Sequence, residues 1–469
     1  MPEKRNRDEA HITIAGGGTG GHAIPALCVA ESLRERGASV EFIGAESGIE
    51  STLVPRAGYK LHSLPLAGFA GGVDDRIRAA FLFMRAVISC RRILENSRPN
   101  AVFGVGGYAS APAVIAANTL RIPTFLHEQN SVPGRVNRFA SRFTKEVFAT
   151  FPEAAEHLDG AKTVGMPTRR AFFKTSRDEA LSELGLRPPV AFIFGGSGGA
   201  LKINLAAMEA FREETAYTVV QIAGRRDFSR LSTDNPRHRI LEYADDIWKY
   251  IAASDVVVSR AGAGSLFDVA AAGKAAVFIP YPHATGDHQL HNARYFTEKD
   301  AAILLPDSEV TPESIKTSIE NLLEDETRRS GLAERIRELA TPNAADEIAD
   351  KLLAAGENDE KRDEDGNGTQ RVSSENQEAR AGASKNESSK NEGARNEGAK
   401  AGHSKDDANR EGVKDKGSKS EAARDEHAED EGVRRDDGHV EDEGSNSKGS
   451  RRDDEYGMRR DDEHKGGGS

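Results

Sequence analysis

His11-Ile12-Thr13-Ile14-Ala15-Gly16-Gly17-Gly18-Thr19-Gly20-Gly21-His22 decides how this chain folds. A short apolar run that turns on glycines into a helix reads as a strand–loop–helix unit. The backbone N–H groups at the start of such a helix point outward, carry partial positive charge and suit a phosphate. Glycine is needed because a Cβ would block both the tight turn and the close approach of a pyrophosphate. The pattern returns at Val190-Ala191-Phe192-Ile193-Phe194, followed by Gly195-Gly196-Ser197-Gly198-Gly199-Ala200. Two such units predict two Rossmann-like domains facing each other across a cleft.

Working outward, strand-like segments at 12–15, 40–43, 101–104, 124–126 and 146–149 alternate with helical stretches, 23–36 and 76–96 among them. The alternation restarts at 190–194 and runs through 218–222, 239–241, 256–259, 276–279 and 303–305. Alternating strands and helices predict an α/β fold with parallel sheets covered on both faces. The expected organisation is a disordered N-terminus at 1–10, a first Rossmann-like domain at 11–164 and a second at 165–340. A C-terminal helix at 341–356 and a disordered charged tail at 357–469 follow.

Composition separates the tail from the body. From Glu357 onward there is no Leu, Ile, Phe or Trp, and 22 basic residues face 32 acidic ones, a net charge of −10. The whole chain carries −12, so the body is near neutral and its charge does not call for nucleic acid. A segment this polar cannot bury enough apolar surface to offset its chain entropy. Two cysteines, Cys28 and Cys90, imply no disulfide framework and favour a reducing compartment. Residues 1–10 do not read as a signal peptide, and no run approaches 18 apolar residues.

Further motifs fall at the expected carboxyl ends of strands. Gly104-Val105-Gly106-Gly107-Tyr108-Ala109-Ser110 is a third glycine cluster, and His127-Glu128-Gln129-Asn130 follows the 124–126 strand. Four polar side chains there need partners, either a ligand or one another. Ser259-Arg260-Ala261-Gly262-Ala263-Gly264-Ser265-Leu266-Phe267-Asp268 opens a helix with small residues. Asp268 suits a ribose diol, or merely complements the helix dipole. His22, at the first helix start, is the leading general base, with His127 as the rival. The Gly16-x-Gly18-x-x-Gly21 fingerprint alone also fits a dinucleotide, but Glu46 is a poor ribose ligand for one. His288 and His291 lie in a Gln/Asn-rich segment without cysteine, which does not read as a metal site.

Together GGGTGGH, GVGGYAS, HEQN, GMPTR, GGSGGA, SRAGAGSLFD and DHQLHNA resemble one family, from about Ile12 to Ala354. These are the bacterial glycosyltransferases that add N-acetylglucosamine to lipid-linked N-acetylmuramyl-pentapeptide in peptidoglycan synthesis. The resemblance implies a GT-B fold, with an acceptor and membrane domain, a UDP-sugar domain and a final helix crossing back onto the first. It implies inverting transfer from UDP-N-acetylglucosamine, with no cofactor and no metal. Thr19, Gly20 and Gly21 would lie at the donor sugar and acceptor phosphate, and Asn130 at the transferred sugar. Arg169 and Ser197 would meet the diphosphate and Ala244 the uracil. Ala263, Gly264 and Ser265 would line the donor site, Asp268 would hold the ribose, Gln289 the sugar hydroxyls, and His22 would be the base. Met166, Gly198 and Asp268 depart from the family's more frequent Asn, Gln and Glu.

The same resemblance implies a peripheral position on the cytoplasmic face of the bacterial membrane and partners in cell-wall synthesis complexes. A matching surface is Ile77, Phe81, Leu82, Met84, Val87 and Ile88 amid Arg76, Arg78, Arg85, Arg91 and Arg92, which suits an anionic leaflet unless those apolar residues are core. Three alternatives stay open: a UDP-N-acetylglucosamine 2-epimerase on the same fold, a related lipid glycosyltransferase, and a nucleotide-binding module without catalysis.

Overall fold

The computed structural model describes residues 10–66, 73–107, 109–196 and 198–355. Ser197, assigned above to the diphosphate, and the 357–469 tail lie outside the described residues.

The first sheet contains β1 (His11–Ala15), β2 (Ser39–Ala45), β3 (Lys60–Leu64), β4 (Ala101–Gly104), β5 (Thr124–Glu128), β6 (Glu146–Ala149) and β7 (Ala161–Thr163). Its spatial order is β3-β2-β1-β4-β5-β6-β7, with parallel pairing throughout. The second contains β8 (Val190–Phe194), β9 (Thr218–Ile222), β10 (His238–Leu241), β11 (Val256–Arg260), β12 (Ala275–Ile279) and β13 (Ile303–Leu304). Its order is β10-β9-β8-β11-β12-β13, also parallel. In both sheets the chain reverses direction of winding next to its first strand. In an open α/β sheet that switch point is where ligands gather, outside the carboxyl ends of the strands. Here the switch points are β1/β4 and β8/β11, and glycine-rich segments follow β1, β4 and β8.

Two strands escape the sequence pattern. β3, Lys60-Leu61-His62-Ser63-Leu64, is largely exposed, and β7 is the polar triplet Ala161-Lys162-Thr163. Both are edge strands, where one side of the ladder faces water and an apolar run is not required. The first helix starts at Gly20, three residues earlier than periodicity suggests, because the glycines themselves enter the helical turn. The helix after the second glycine loop is Leu201–Ala210, so Gly199 and Ala200 belong to the loop.

Helix 344–355 lies on the first domain's core. Ile348, Ala349, Leu352 and Ala355 are buried with Ile12, Ile14, Val29 and Leu33. Arg36 pairs with Asp346 at 2.9 Å and Asp350 at 2.6 Å, fixing that helix against the end of the Gly20–Glu35 helix. The chain passes between the two sheets near residues 165 and 341, and the crossings are bonded side by side. The Met166 N–H donates to the Thr341 hydroxyl at 3.0 Å, and that hydroxyl donates to the Met166 carbonyl at 3.2 Å. Gly165, at φ +90°, makes room: a Cβ there would collide with the Thr341 side chain. Phe151, just past β6, is buried against Phe267 and Tyr295 of the second domain, so an apolar contact backs the polar ones.

Candidate active site

Between the two glycine-bearing strand ends lies a cleft with two chemically different walls. On the first wall Gly16, Gly17 and Gly18 all have positive φ (+138°, +142° and +93°). Gly16 and Gly17 interlock with the third glycine cluster. A Cβ on Gly107 would run into the Gly17 carbonyl, and the Gly17 N–H donates to the Gly106 carbonyl at 3.3 Å. Behind them sits the buried carboxylate of Glu50, which accepts from the Gly18 N–H at 2.6 Å and the Ala45 N–H at 2.9 Å. The loop is thus shaped from behind.

The Gly20–Glu35 helix begins with no side-chain cap and no acidic residue in its first turn. The same holds for Leu201–Ala210 and for Ala263–Ala272. Other helices, Ser110–Thr119 and Arg177–Leu184 among them, also start without a side-chain cap, whereas Pro312–Glu324 is closed by a Thr311/Ser314 capping box and the next helix by Asp325. Uncapped helix starts leave N–H groups and partial positive charge for an anionic ligand.

His22 lies in the first turn, half-buried, with Nδ1 2.9 Å from the Thr19 hydroxyl and its ring edge against Gly106. Burial, and secondarily the nearby His288 of the second domain, lower its pKa to about 4. It is therefore neutral at pH 7. If Nδ1–H donates to Thr19, Nε2 holds a free lone pair and can take a proton.

His127, the rival base, is fully buried and serves the fold. Nε2 lies 3.2 Å from both the Gly165 carbonyl and the Thr150 hydroxyl, and Nδ1 lies 3.1 Å from Gln129 Nε2. Glu128 accepts from the Asn130 and Gly134 N–H groups, both at 3.0 Å, and from Asn137 Nδ2 at 2.9 Å. His127 and Glu128 thus find their partners within the fold, and Gln129 Nε2 donates to the Val105 carbonyl at 2.8 Å while its buried Oε1 has no partner among the described residues. Asn130, half-buried at the cleft, is the member that faces the second domain.

On the second wall the Arg169 guanidinium lies 5.1 Å from the centroids of both the Phe172 and Trp248 rings, which pack edge-on against each other. Its Nε is buried and has no hydrogen-bond partner. A guanidinium fixed flat with an unused donor is set up to receive an anion. Asp268 is partly exposed in the second turn of Ala263–Ala272, too far along to serve the helix N-terminus. Burial raises its carboxyl to about 7, with Arg169 pulling the other way. Ala263 is buried and Gly264 and Ser265 half-buried in the first turn of that helix, after Gly262 as N-cap. Ala244 is half-buried on the turn after β10, against the second domain's core. Gln289 is half-buried in the helix His288–Thr297 and accepts from the Tyr281 N–H at 3.0 Å. Arg260, within the small-residue motif, is spent on the fold, donating to Asp307 at 2.6 Å and to the carbonyls of Ile279 and Pro280.

Residues 12–149 match the glycosyltransferase family 28 N-terminal domain, and residues 190–352 match the family's C-terminal domain. A Rubrobacter xylanophilus protein is 63% identical over 331 residues, covering 70% of this chain and 98% of its own. Its name is UDP-N-acetylglucosamine–N-acetylmuramyl-(pentapeptide) pyrophosphoryl-undecaprenol N-acetylglucosamine transferase. This chain belongs to glycosyltransferase family 28. A Halothermothrix orenii transferase of the same name is 35% identical over 353 residues, covering 71% of this chain and 95% of its own. Among solved structures, Acinetobacter baumannii MurG is 29% identical with a TM-score of 0.59, covering 74% of this chain and 99% of its own. A Neisseria meningitidis UDP-GlcNAc 2-epimerase, 15% identical with a TM-score of 0.54 over 74% of this chain and all of its own, shares the fold.

Three residues of this family-28 cleft carry no signal in the sequence reading: Glu50, Asp227 and Asn292. Glu50 shapes the first glycine loop. Asp227 lies behind the second, where Asn204 Nδ2 donates to its carboxylate at 3.1 Å and Gly199 packs close to it. Asn292 sits in the DHQLHNA motif, but its partners lie in the other domain. Only the fold brings such residues to the site.

Proposed function

We propose that this protein transfers N-acetylglucosamine, with inversion, from UDP-N-acetylglucosamine to the 4-hydroxyl of N-acetylmuramic acid in undecaprenyl-pyrophosphoryl-N-acetylmuramyl-pentapeptide. This is the conversion of lipid I to lipid II in peptidoglycan synthesis. The observation that carries the mechanism is the opposition of walls: a neutral His22 on one, and Arg169 beside Asp268 on the other.

The acceptor oxygen attacks the anomeric carbon and passes its proton to His22 Nε2. The bond from that carbon to the diphosphate oxygen breaks, and UDP leaves with the electron pair. Arg169 and the uncapped helix starts stabilise the charge that builds on the diphosphate. Asp268 accepts from the ribose diol, Ala244 offers backbone to the uracil, and Ala263, Gly264 and Ser265 line the donor site with Ser197. Asn130 and Gln289 hold the transferred sugar, and Thr19, Gly20 and Gly21 lie between it and the acceptor phosphate.

The acceptor is lipid-anchored, so the protein works at a membrane surface. Among the described residues no helix is long and apolar enough to cross one. The helix Val73–Ser97 instead has two apolar faces. Ala79, Ala86, Cys90 and Leu94 are buried, whereas Ile77, Phe81, Met84 and Ile88 are exposed one turn apart. Arg78 and Arg85 flank them in the open, with Arg85 5.8 Å from the Phe81 ring. Exposed large apolar side chains bordered by arginine suit the interface of an anionic leaflet, here the cytoplasmic face. Removing Arg78, Arg85 and Phe81 together is expected to weaken sedimentation with anionic vesicles. Unchanged sedimentation would place the membrane contact elsewhere.

The deciding experiment is radiolabel transfer from UDP-N-acetylglucosamine to a short-chain lipid I analogue by the full chain. Label in the lipid product supports the reading. UDP-sugar binding without transfer points to another acceptor or to epimerase chemistry.

A further inference from the structure

Asn292 is completely buried in the middle of the helix His288–Thr297, and its amide joins the two domains. Its Oδ1 accepts from the Ser131 main-chain N–H and from the Ser131 hydroxyl, both at 2.9 Å. Its Nδ2 reaches the Ala261 carbonyl at 3.3 Å and Asn130 Oδ1 at 3.2 Å. Two acceptor positions and two donor protons are all used.

The directions of these bonds follow from chemistry alone. A main-chain N–H only donates, so the Asn292 atom facing Ser131 N is its oxygen. A main-chain carbonyl only accepts, so the atom facing Ala261 is its nitrogen. That same nitrogen faces Asn130, and the Asn130 atom meeting it must then be the carbonyl oxygen. An amide normally assigned by guesswork is fixed here by two groups that cannot be flipped.

We infer that Asn292 is a positioning residue that, together with the Glu128 carboxylate, turns the Asn130 amide so that its N–H₂ and not its oxygen is offered to the cleft, and that Asn292 supplies its share only when the domains are closed. The inference rests on the assignment of Asn130 to the donor sugar. Three of the four bonds cross from the second domain to the first, so opening the cleft leaves the Asn130 amide held by Glu128 alone. Closing it presents a donor that selects a lone-pair-bearing oxygen on the sugar, either a hydroxyl or the acetamido carbonyl. Recognition of the sugar is thereby coupled to closure, while recognition of UDP, held by the second wall, is not.

The test compares affinities for UDP-N-acetylglucosamine and UDP by calorimetry, with transfer kinetics, in the full chain and its variants. In Asn292→Asp one oxygen still serves Ser131, but the other now faces the Ala261 carbonyl, which loses its donor, and Asn130, whose amide must turn over to donate to it. The preference for UDP-N-acetylglucosamine over UDP is expected to fall about tenfold or more, because an oriented polar contact is lost. The Kd of UDP itself stays within about twofold, since its contacts lie elsewhere. Asn130→Ala should lose the same preference, and adding Asn292→Ala to it should lose little more. Equal losses for UDP and UDP-N-acetylglucosamine, or additive losses in the double variant, would overturn the inference. Ser131→Ala keeps the main-chain donor and should leave the preference intact. A loss there as large as that in Asn292→Asp would assign the effect to closure alone and also overturn it. Asn130→Ala without effect in an active enzyme would remove the sugar assignment itself. An effect of Asn130→Ala without one of Asn292→Asp sinks only the positioning role.

Discussion

The two halves of this molecule share the order of six strands, to which the first adds a seventh at one edge, and the same placement of a glycine loop after the first strand, yet they hold and use those loops differently. Glu50 reaches the first loop directly, bonding the Gly18 N–H, and the third glycine cluster locks it from the side. Asp227 stands behind the second loop, but its carboxylate is taken by Asn204 Nδ2 at 3.1 Å and Arg226 Nε at 3.0 Å. The first loop leads straight into a helix whose third residue is a histidine. The second leads into a helix with no histidine at its start, its Lys202 being paired with Asp307, and the charged groups assigned to that wall's ligand, Arg169 and Asp268, come from other segments. A repeated scaffold can thus divide its labour: one half moves a proton, and the other holds an anion and a diol.

The largest expected effect tests that division. His22→Ala should lower kcat by about 100- to 10,000-fold, the usual contribution of a general base. The Kd for UDP-N-acetylglucosamine should change little, because His22 is assigned to the acceptor hydroxyl, whereas the UDP part of the donor is assigned to the other wall and its sugar to Asn130 and Gln289. A matching loss in donor affinity would make His22 a ligand-positioning group and erase the contrast.

The second test separates the two loop supports. Glu50→Ala strands the buried Ala45 N–H, which costs about 1–3 kcal/mol, and frees the exposed Gly18 N–H from the carboxylate that holds it. Both Tm and kcat/KM should fall, since the loop carrying Thr19 and His22 loses its shape. Asp227→Ala removes a carboxylate that packs beside Gly199 but is bonded to Asn204 and Arg226. It should lower Tm by a comparable amount while leaving kcat within a few-fold. Equal catalytic losses would mean that both loops need the same rigidity.

These supports also mark where sequence reading stops. The central strands β1, β4, β8, β11 and β12 are short apolar runs ending in glycine, Arg-Ala-Gly or proline, and their pattern alone gives them away. The edges β3 and β7 do not, because a strand with one open side needs no apolar run. His22 and Asp268 stand out beside glycine-rich turns and Asn130 among the polar residues at a strand end, whereas Arg169 is singled out only by the resemblance to the glycosyltransferase family. The fates of His127 and Arg260 do not show, since both look as reactive as His22 until their buried partners are seen. Glu50 lies 32 residues from the glycine it supports, and Asn292 lies 161 from Ser131. No local spacing encodes such pairs.

The smallest expected effect is a split in pH dependence between the walls. Burial raises the Asp268 carboxyl to about 7, with Arg169 opposing, so the charged form costs stability as pH climbs from the ordinary carboxyl range through 7. A ribose diol donating to the carboxylate favours that charged form. Donor binding should therefore weaken as pH falls through about 7, and KM for UDP-N-acetylglucosamine should rise several-fold between pH 8 and 6. His22 behaves otherwise. Its pKa lies near 4, so it remains an unprotonated base throughout that range, and kcat at saturating donor should stay flat down to about pH 5. Asp268→Asn should remove the slope in KM and leave the kcat profile unchanged. A kcat that falls with a midpoint near 6.5 would instead mean that bound acceptor restores an ordinary histidine. The low pKa of the empty cleft would then be a cost that the acceptor's phosphate relieves on binding.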